Sequence, residues 1–133
     1  MATPPVFELR VALTAADYER IVEFYCQGLG IEPAQLWTTE DSHAVLLELG
    51  RATLELFNES QAAMVDEIEV GRRVSGPIRF ALQVPDVEAA AAGLVEHGAV
   101  LIGGPLVTPW GDRNVRLQAP DGLQITLFEG HED

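Results

Sequence analysis

LRVALTAADYE (residues 9–19) and IRFALQVPDVE (residues 78–88) align without gaps at an offset of 69 residues (78 − 9). Arg10 falls on Arg79, Ala12 on Ala81, Leu13 on Leu82, Asp17 on Asp86 and Glu19 on Glu88. These identities are weak alone, but the context repeats as well. An alternating run, a turn and a helical run follow in the same order each time, so the chain reads as two modules of one design.

Periodicity supplies the elements, because side chains repeat every two residues on a half-buried strand and about every 3.6 on a helix. Residues 7–13 alternate between Phe7, Leu9, Val11, Leu13 and the intervening Glu8, Arg10, Ala12, which predicts a strand. Ile21, Phe24, Tyr25 and Leu29 then recur at helical spacing, with Thr14 and Asp17 as start signals and Gly28 and Gly30 as stops. Phe24 and Tyr25 are expected in the core, with Cys26 beside the stripe as an inert thiol. A weaker strand is expected over 34–39. Residues 44–49 and 52–57 form two apolar runs around Gly50-Arg51, a link of hairpin length.

The second module repeats the order. Residues 78–84 alternate, Val87, Ala90, Ala91, Leu94 and Val95 make a helical stripe, and Gly98 ends it. Strands follow near 100–101, 114–119 and 123–128, the last two joined by Pro120-Asp121-Gly122. Gly103-Gly104-Pro105 reads as a turn. The chain is thus expected to be a single α+β domain over 1–133, with βαβββ modules at 1–57 and 78–133. Residues 58–77 form an acidic linker with a short helix around 61–70.

Composition narrows the function classes. The formal charge of −13 comes from 21 acidic and 8 basic residues, and its field repels nucleic acid and anionic membranes. It serves solubility or draws in a cationic ligand. The single cysteine excludes an intrachain disulfide framework. There is no signal-peptide pattern at the amino end and no apolar run near ~20 residues, so a cytoplasmic, soluble protein is expected. Nucleophile elbows, P-loops, dinucleotide fingerprints and C-x-x-C pairs are missing.

The residues Arg10-Val11-Ala12-Leu13, Asp17-Tyr18-Glu19-Arg20, Phe24-Tyr25, Leu29-Gly30, then Leu54-Glu55-Leu56-Phe57 and Ala119-Pro120-Asp121-Gly122 carry a resemblance over nearly the whole chain. In their order and spacing the chain resembles the vicinal oxygen chelate superfamily, which includes glyoxalase I, extradiol dioxygenases, fosfomycin-resistance transferases and bleomycin-resistance proteins. The resemblance implies paired βαβββ units whose mixed sheets curl around a cavity. In the family's enzymes a divalent metal sits there, held by side chains, commonly His and Glu, from the first and last strand of each module. Those positions fall here on Arg10, Glu55, Arg79 and Thr126.

That set argues against the metal. Arginine carries five donors and no lone pair, and it stays protonated. Threonine is a weak substitute for a carboxylate, and His43, His97 and His131 stand at none of the ligand positions. No metal or other cofactor is expected. Strand alternation places Arg10, Glu55 and Arg79 on the cavity side. There Glu55 forks to one or both guanidiniums as an ion-pair network, or one Arg is left to bind a ligand carboxylate, phosphate or carbonyl. The two readings are compatible.

Trp37 and Phe57 are further candidates for the wall of a cleft. Trp110 and Arg113 lie in Pro109-Trp110-Gly111-Asp112-Arg113, which is similar to a segment of bleomycin-resistance proteins that leads into a cavity-lining strand; the alternative for Trp110 is an indole anchoring its loop. The expected function is metal-free binding of a small molecule, as in drug-sequestering antibiotic-resistance proteins, by a homodimer. The alternative is a lyase, isomerase or transferase in which an Arg polarises a carbonyl and Glu55 is the base.

Overall fold

The computed structural model describes residues 6–29, 31–50, 52–120 and 122–130. Its elements run β1 (Glu8–Thr14), α1 (Tyr18–Leu29), β2 (Gln35–Thr39), β3 (Ser42–Glu48), β4 (Ala52–Phe57), α2 (Glu59–Glu69), β5 (Ile78–Gln83), α3 (Val87–Glu96), β6 (Val100–Val107), β7 (Arg113–Gln118) and β8 (Gln124–Glu129). The βαβββ order therefore occurs twice, with α2 between the copies. The strands form one eight-stranded mixed sheet in the order β2-β3-β4-β1-β5-β8-β7-β6. Inside each module the first and last strands are parallel, and β1 meets β5 antiparallel at the centre.

This register follows from the repeated sequence. Arg10 faces Ala81 and Ala12 faces Arg79 across the β1–β5 ladder, so each arginine lies beside the other module's alanine. A pseudo-two-fold axis passes between the two strands.

The apolar parity of the strands packs against α1 and α3. Val45, Leu47 and Leu56 are buried with Tyr18, Val22 and Cys26 packed against them. The α1 face used is therefore Tyr18-Val22-Cys26, at i, i+4, i+8, which brings Cys26 into the packed stripe rather than beside it. The side chains of Phe24 and Tyr25 lie outside the described residues, as do Gly30, Arg51, Asp121 and His131. Val87 and Ala91 of α3 pack with Val115, Leu117 and Leu127, and full burial of each such Val or Leu contributes about 1.5–3 kcal/mol. Asp86 caps α3 by accepting from the N–H groups of Glu88 and Ala89.

The opposite, polar parity faces α2. Asn58 caps this helix by accepting from Gln61 N at 2.9 Å, and the same oxygen accepts from His43 N, which ties the helix start to β3. Ala62 and Val65 then pack on Ala12, Ala44 and Phe57. The segment between the modules is thus a helix laid on the sheet. Gly103 and Gly104 are not in a turn: they belong to β6, where the register with β7 shifts. A Cβ on Gly103 would collide with the carbonyl of Glu69 at the end of α2, so glycine there permits the close approach.

Candidate functional site

Two rows of paired residues frame the site. Ala12 pairs with Glu55 on one side and Arg79 on the other, and Ala81 pairs with Arg10 on one side and Thr126 on the other. The four positions marked by the resemblance thus form the corners of a frame across the central strands, each row spaced by an alanine.

Above the frame lies a cavity of about 230 Å³. Arg10, Glu55, Arg79 and Thr126 all line it, and so do Trp37, Phe57 and Trp110. The two indoles meet edge to face with their centroids 6.0 Å apart, closing one wall. Arg113 does not reach it. It pairs with Glu88 of α3 and with Glu129 at 3.4 Å on the other face of the sheet. The alternation of β7 explains this: Arg113 shares its parity with the buried Val115 and Leu117, while Asn114 and Arg116 take the cavity side.

Arg116 is the main residue that sequence reasoning missed. It is 0% exposed. Its Nη1 donates to Asp66 Oδ1 at 2.8 Å, and its Nε to Glu69 Oε1 and Thr126 Oγ1, each at 3.1 Å. Its Nη2 is also 3.1 Å from Glu69 Oε1, near enough for charge attraction but misaligned for a hydrogen bond. Thr126 in turn donates to Glu69 at 2.9 Å and accepts from Arg79 Nη1 at 2.8 Å. Burial raises the Asp66 carboxyl, but the N–H groups of Ser75 and Val74 and the guanidinium of Arg116 outweigh it and hold the pKa down to about 2. Two signals for this cluster exist in the sequence: the parity of β7, and the i, i+4, i+8 spacing of Gln61, Val65 and Glu69, all three of which line the cavity.

Glu55 behaves differently. Among the described residues it accepts no hydrogen bond and forms no ion pair, so it does not fork to the arginines. Arg10 instead pairs with Glu8 at 3.2 Å and lies over the Phe128 ring at 4.9 Å. Burial pushes the Glu55 carboxyl up, and the charges of Arg79 and Arg10 offset this in part. Arg79 is buried and, among the described residues, makes one side-chain hydrogen bond, to Thr126, and burial lowers its pKa against the attraction of Glu69.

The donor set does not fit a divalent cation. Two corners are guanidiniums without lone pairs, and the Thr126 hydroxyl is engaged by Arg79, Arg116 and Glu69. Glu55 alone is an ordinary ligand. Among the described residues no group of three or more His, Cys, Asp or Glu side chains is arranged to hold a metal. His43 stacks near Tyr18 and His97 bonds the carbonyl of Gly93, both away from the frame. The arrangement can instead offer a carboxylate, a guanidinium and an aromatic wall to one small molecule.

Several solved structures share the fold. Methylmalonyl-CoA epimerase from Mycobacterium tuberculosis is 22% identical, with a TM-score of 0.69 over 99% of this chain and 93% of that one. A hypothetical protein from Bacillus halodurans C-125 is 17% identical, with a TM-score of 0.69 over 93% and 94% of the two chains. A glyoxalase/bleomycin resistance protein/dioxygenase superfamily member from Vibrio splendidus 12B01 is 16% identical, with a TM-score of 0.66 over 92% and 97%. At these identities the likeness is one of fold. No curated protein matches the sequence. The family model of the Glyoxalase/Bleomycin resistance protein/Dioxygenase superfamily matches residues 9–127, and with its paired βαβββ units and their four corner positions the chain belongs to that superfamily.

Proposed function

We propose that this protein is a metal-free small-molecule-binding member of its superfamily, acting in the manner of the drug-sequestering proteins. The observation that carries the proposal is the pairing of an aromatic-walled cavity with a frame whose arginines replace metal ligands. A cavity of about 230 Å³ lies just below the usual range for drug-sized pockets, roughly 300–1,000 Å³, so the ligand or the part it buries is compact. The proposal extends to a cytoplasmic homodimer of one-domain chains. Leu94, Val95, Val100 and Leu101 expose apolar surface around α3 and β6, which a second copy would cover. Among the described residues no helix is long and apolar enough to cross a membrane.

Titration of an aromatic fragment panel against the protein's fluorescence tests the binding reading, since both tryptophans of the sequence, Trp37 and Trp110, line the cavity. Saturable quenching at one ligand per chain, unchanged by EDTA, is expected. Quenching that disappears on chelation, or no saturable response to any compound, overturns it.

One observation favours an enzymatic second reading. Glu55 is a carboxylate with a raised pKa and no hydrogen bond or ion pair among the described residues, across Ala12 from Arg79, as a general base beside a carbonyl-polarising group would be. Deuterium incorporation from solvent into a bound carbonyl compound, abolished in Glu55→Gln, is its signature.

A further inference from the structure

The cavity holds more hydrogen-bonding capacity than its own residues use. Among the described residues Gln61 Oε1 and Asn114 Oδ1 have no partner, although both residues line the cavity and are only 4% exposed. The Asn114 oxygen cannot be relieved by turning the amide over, because its Nδ2 donates to Glu69 Oε2 at 2.9 Å. Glu55 adds a carboxylate that accepts no hydrogen bond among the described residues. Donor capacity is left over as well: among the described residues the Trp37 indole N–H and Arg116 Nη2 have no hydrogen-bond partner, Arg10 spends only Nε, on Glu8, and Arg79, 6% exposed, spends only Nη1, on Thr126.

The spacing of the two charges is set by the sheet. Glu55 and Arg79 flank Ala12 in one row, so their backbones lie two strand spacings apart, roughly 9–10 Å. Both side chains take the cavity parity, and Phe57 and the two indoles stand over the same space. A ligand seated there meets a carboxylate at one end, a guanidinium at the other and flat apolar surface between. The Glu55 carboxylate and the orphan oxygens of Gln61 and Asn114 call for N–H donors, and the spare N–H groups of Arg79 call for an acceptor. A primary ammonium brings three donors, while a carboxylate is what a guanidinium fork binds best. A molecule carrying both is net neutral, so the field of the −13 chain does not repel it.

We infer that the cavity takes a small aromatic zwitterion, its ammonium group on the side of Glu55 and Gln61 and its carboxylate on Arg79, with the ring against Trp37, Phe57 and Trp110. The inference rests on the ligand-binding reading above and narrows it to a chemical class.

Calorimetric titration with three matched probes tests it: 4-(aminomethyl)benzoate, benzoate and benzylamine. The zwitterion is expected to bind at least tenfold more tightly than either single-ended probe. Glu55→Gln should remove most of its advantage over benzoate and leave benzoate itself little changed. Arg79→Gln should remove most of its advantage over benzylamine. Gln61→Met, which deletes an orphan acceptor without touching the charges, should weaken benzylamine and the zwitterion alike; should Arg79→Gln fail to fold, Glu55→Gln and Gln61→Met carry the test. Equal affinity for the three probes, or a zwitterion advantage untouched by Glu55→Gln, overturns the inference while leaving a binding cavity. Absence of binding by all three, with fluorescence responding to other aromatics, also overturns it. Failure of every aromatic compound to bind would remove the binding reading itself.

Discussion

The two halves of the frame have the same backbone and opposite fates. Glu55–Ala12–Arg79 and Thr126–Ala81–Arg10 are related by the pseudo-two-fold axis, so by register alone they should be equally filled. The corner at Arg79 and Thr126 is instead locked by Arg116, Asp66 and Glu69, all of them buried. At the other corner Glu55 has no hydrogen bond or ion pair among the described residues, and Arg10 turns to Glu8. The helix between the modules makes the difference. Its Ala62 and Val65 rest on Ala44 and Phe57 of the first module, whereas its Asp66 and Glu69 reach Arg116 of the second. One asymmetric helix on a symmetric sheet ties down the side chains of one corner and leaves those of the other untied.

The largest expected effect lies in the locked half. Arg116→Met leaves Asp66 and Glu69 buried without their cation, and breaking a buried pair in this way costs about 3–5 kcal/mol. Arg10→Met, on the open side where the pair is partly exposed, should cost about 1 kcal/mol or less. Urea unfolding of both variants makes the comparison. Equal losses would mean that the halves do not differ in the way their contacts indicate.

Much of the frame was legible beforehand. Period-two alternation placed Arg10, Glu55 and Arg79 on the cavity side, and the repeat together with the resemblance picked out the corners, because strand parity is a local property. What the side chains do at those corners is not local. Parity left open whether Glu55 pairs with the arginines or an Arg is left over for a ligand, because the partners are chosen by α2, whose seat on the sheet depends on Gly103 allowing its last turn to approach β6. Arg113 was carried over from a similar segment against the evidence of its own strand, where the neighbouring Val115 and Leu117 mark its face as the apolar one. Weighing parity above the segment likeness would have selected Arg116.

An intermediate effect should appear with acid. The Asp66 carboxyl has a folded pKa of about 2 against an ordinary 3.8. The folded state therefore holds its proton less tightly than the unfolded chain does, and Asp66 contributes stability that is present above the ordinary value and lost as pH falls toward 2. The contribution is about 2 kcal/mol. Asp66→Asn should be less stable at pH 7 and should lose less stability than the wild type between pH 4 and pH 2 in urea unfolding series. Parallel pH profiles would show that the locked half is held by something other than this carboxylate.

The smallest effect, and the one that discriminates best, belongs to Glu55. If it bridged the arginines, Glu55→Gln would leave two cations facing each other and cost a few kcal/mol. The structure reverses that sign. Burial raises the folded pKa of Glu55 above its ordinary 4.5, so the charged form is held less well in the folded protein than in the unfolded chain. The associated stability is full below the ordinary value and declines as pH rises through the folded pKa. At pH 7 Glu55 is therefore a small burden, and Glu55→Gln should leave stability unchanged or raise it slightly. The gain should vanish below pH 4.5, where the wild-type carboxyl is protonated in both states. Unfolding in urea at pH 7 and pH 4 measures it. A loss of several kcal/mol at pH 7 would mean that Glu55 is tied to Arg10 or Arg79, which would make the two halves alike and leave the ligand no open carboxylate.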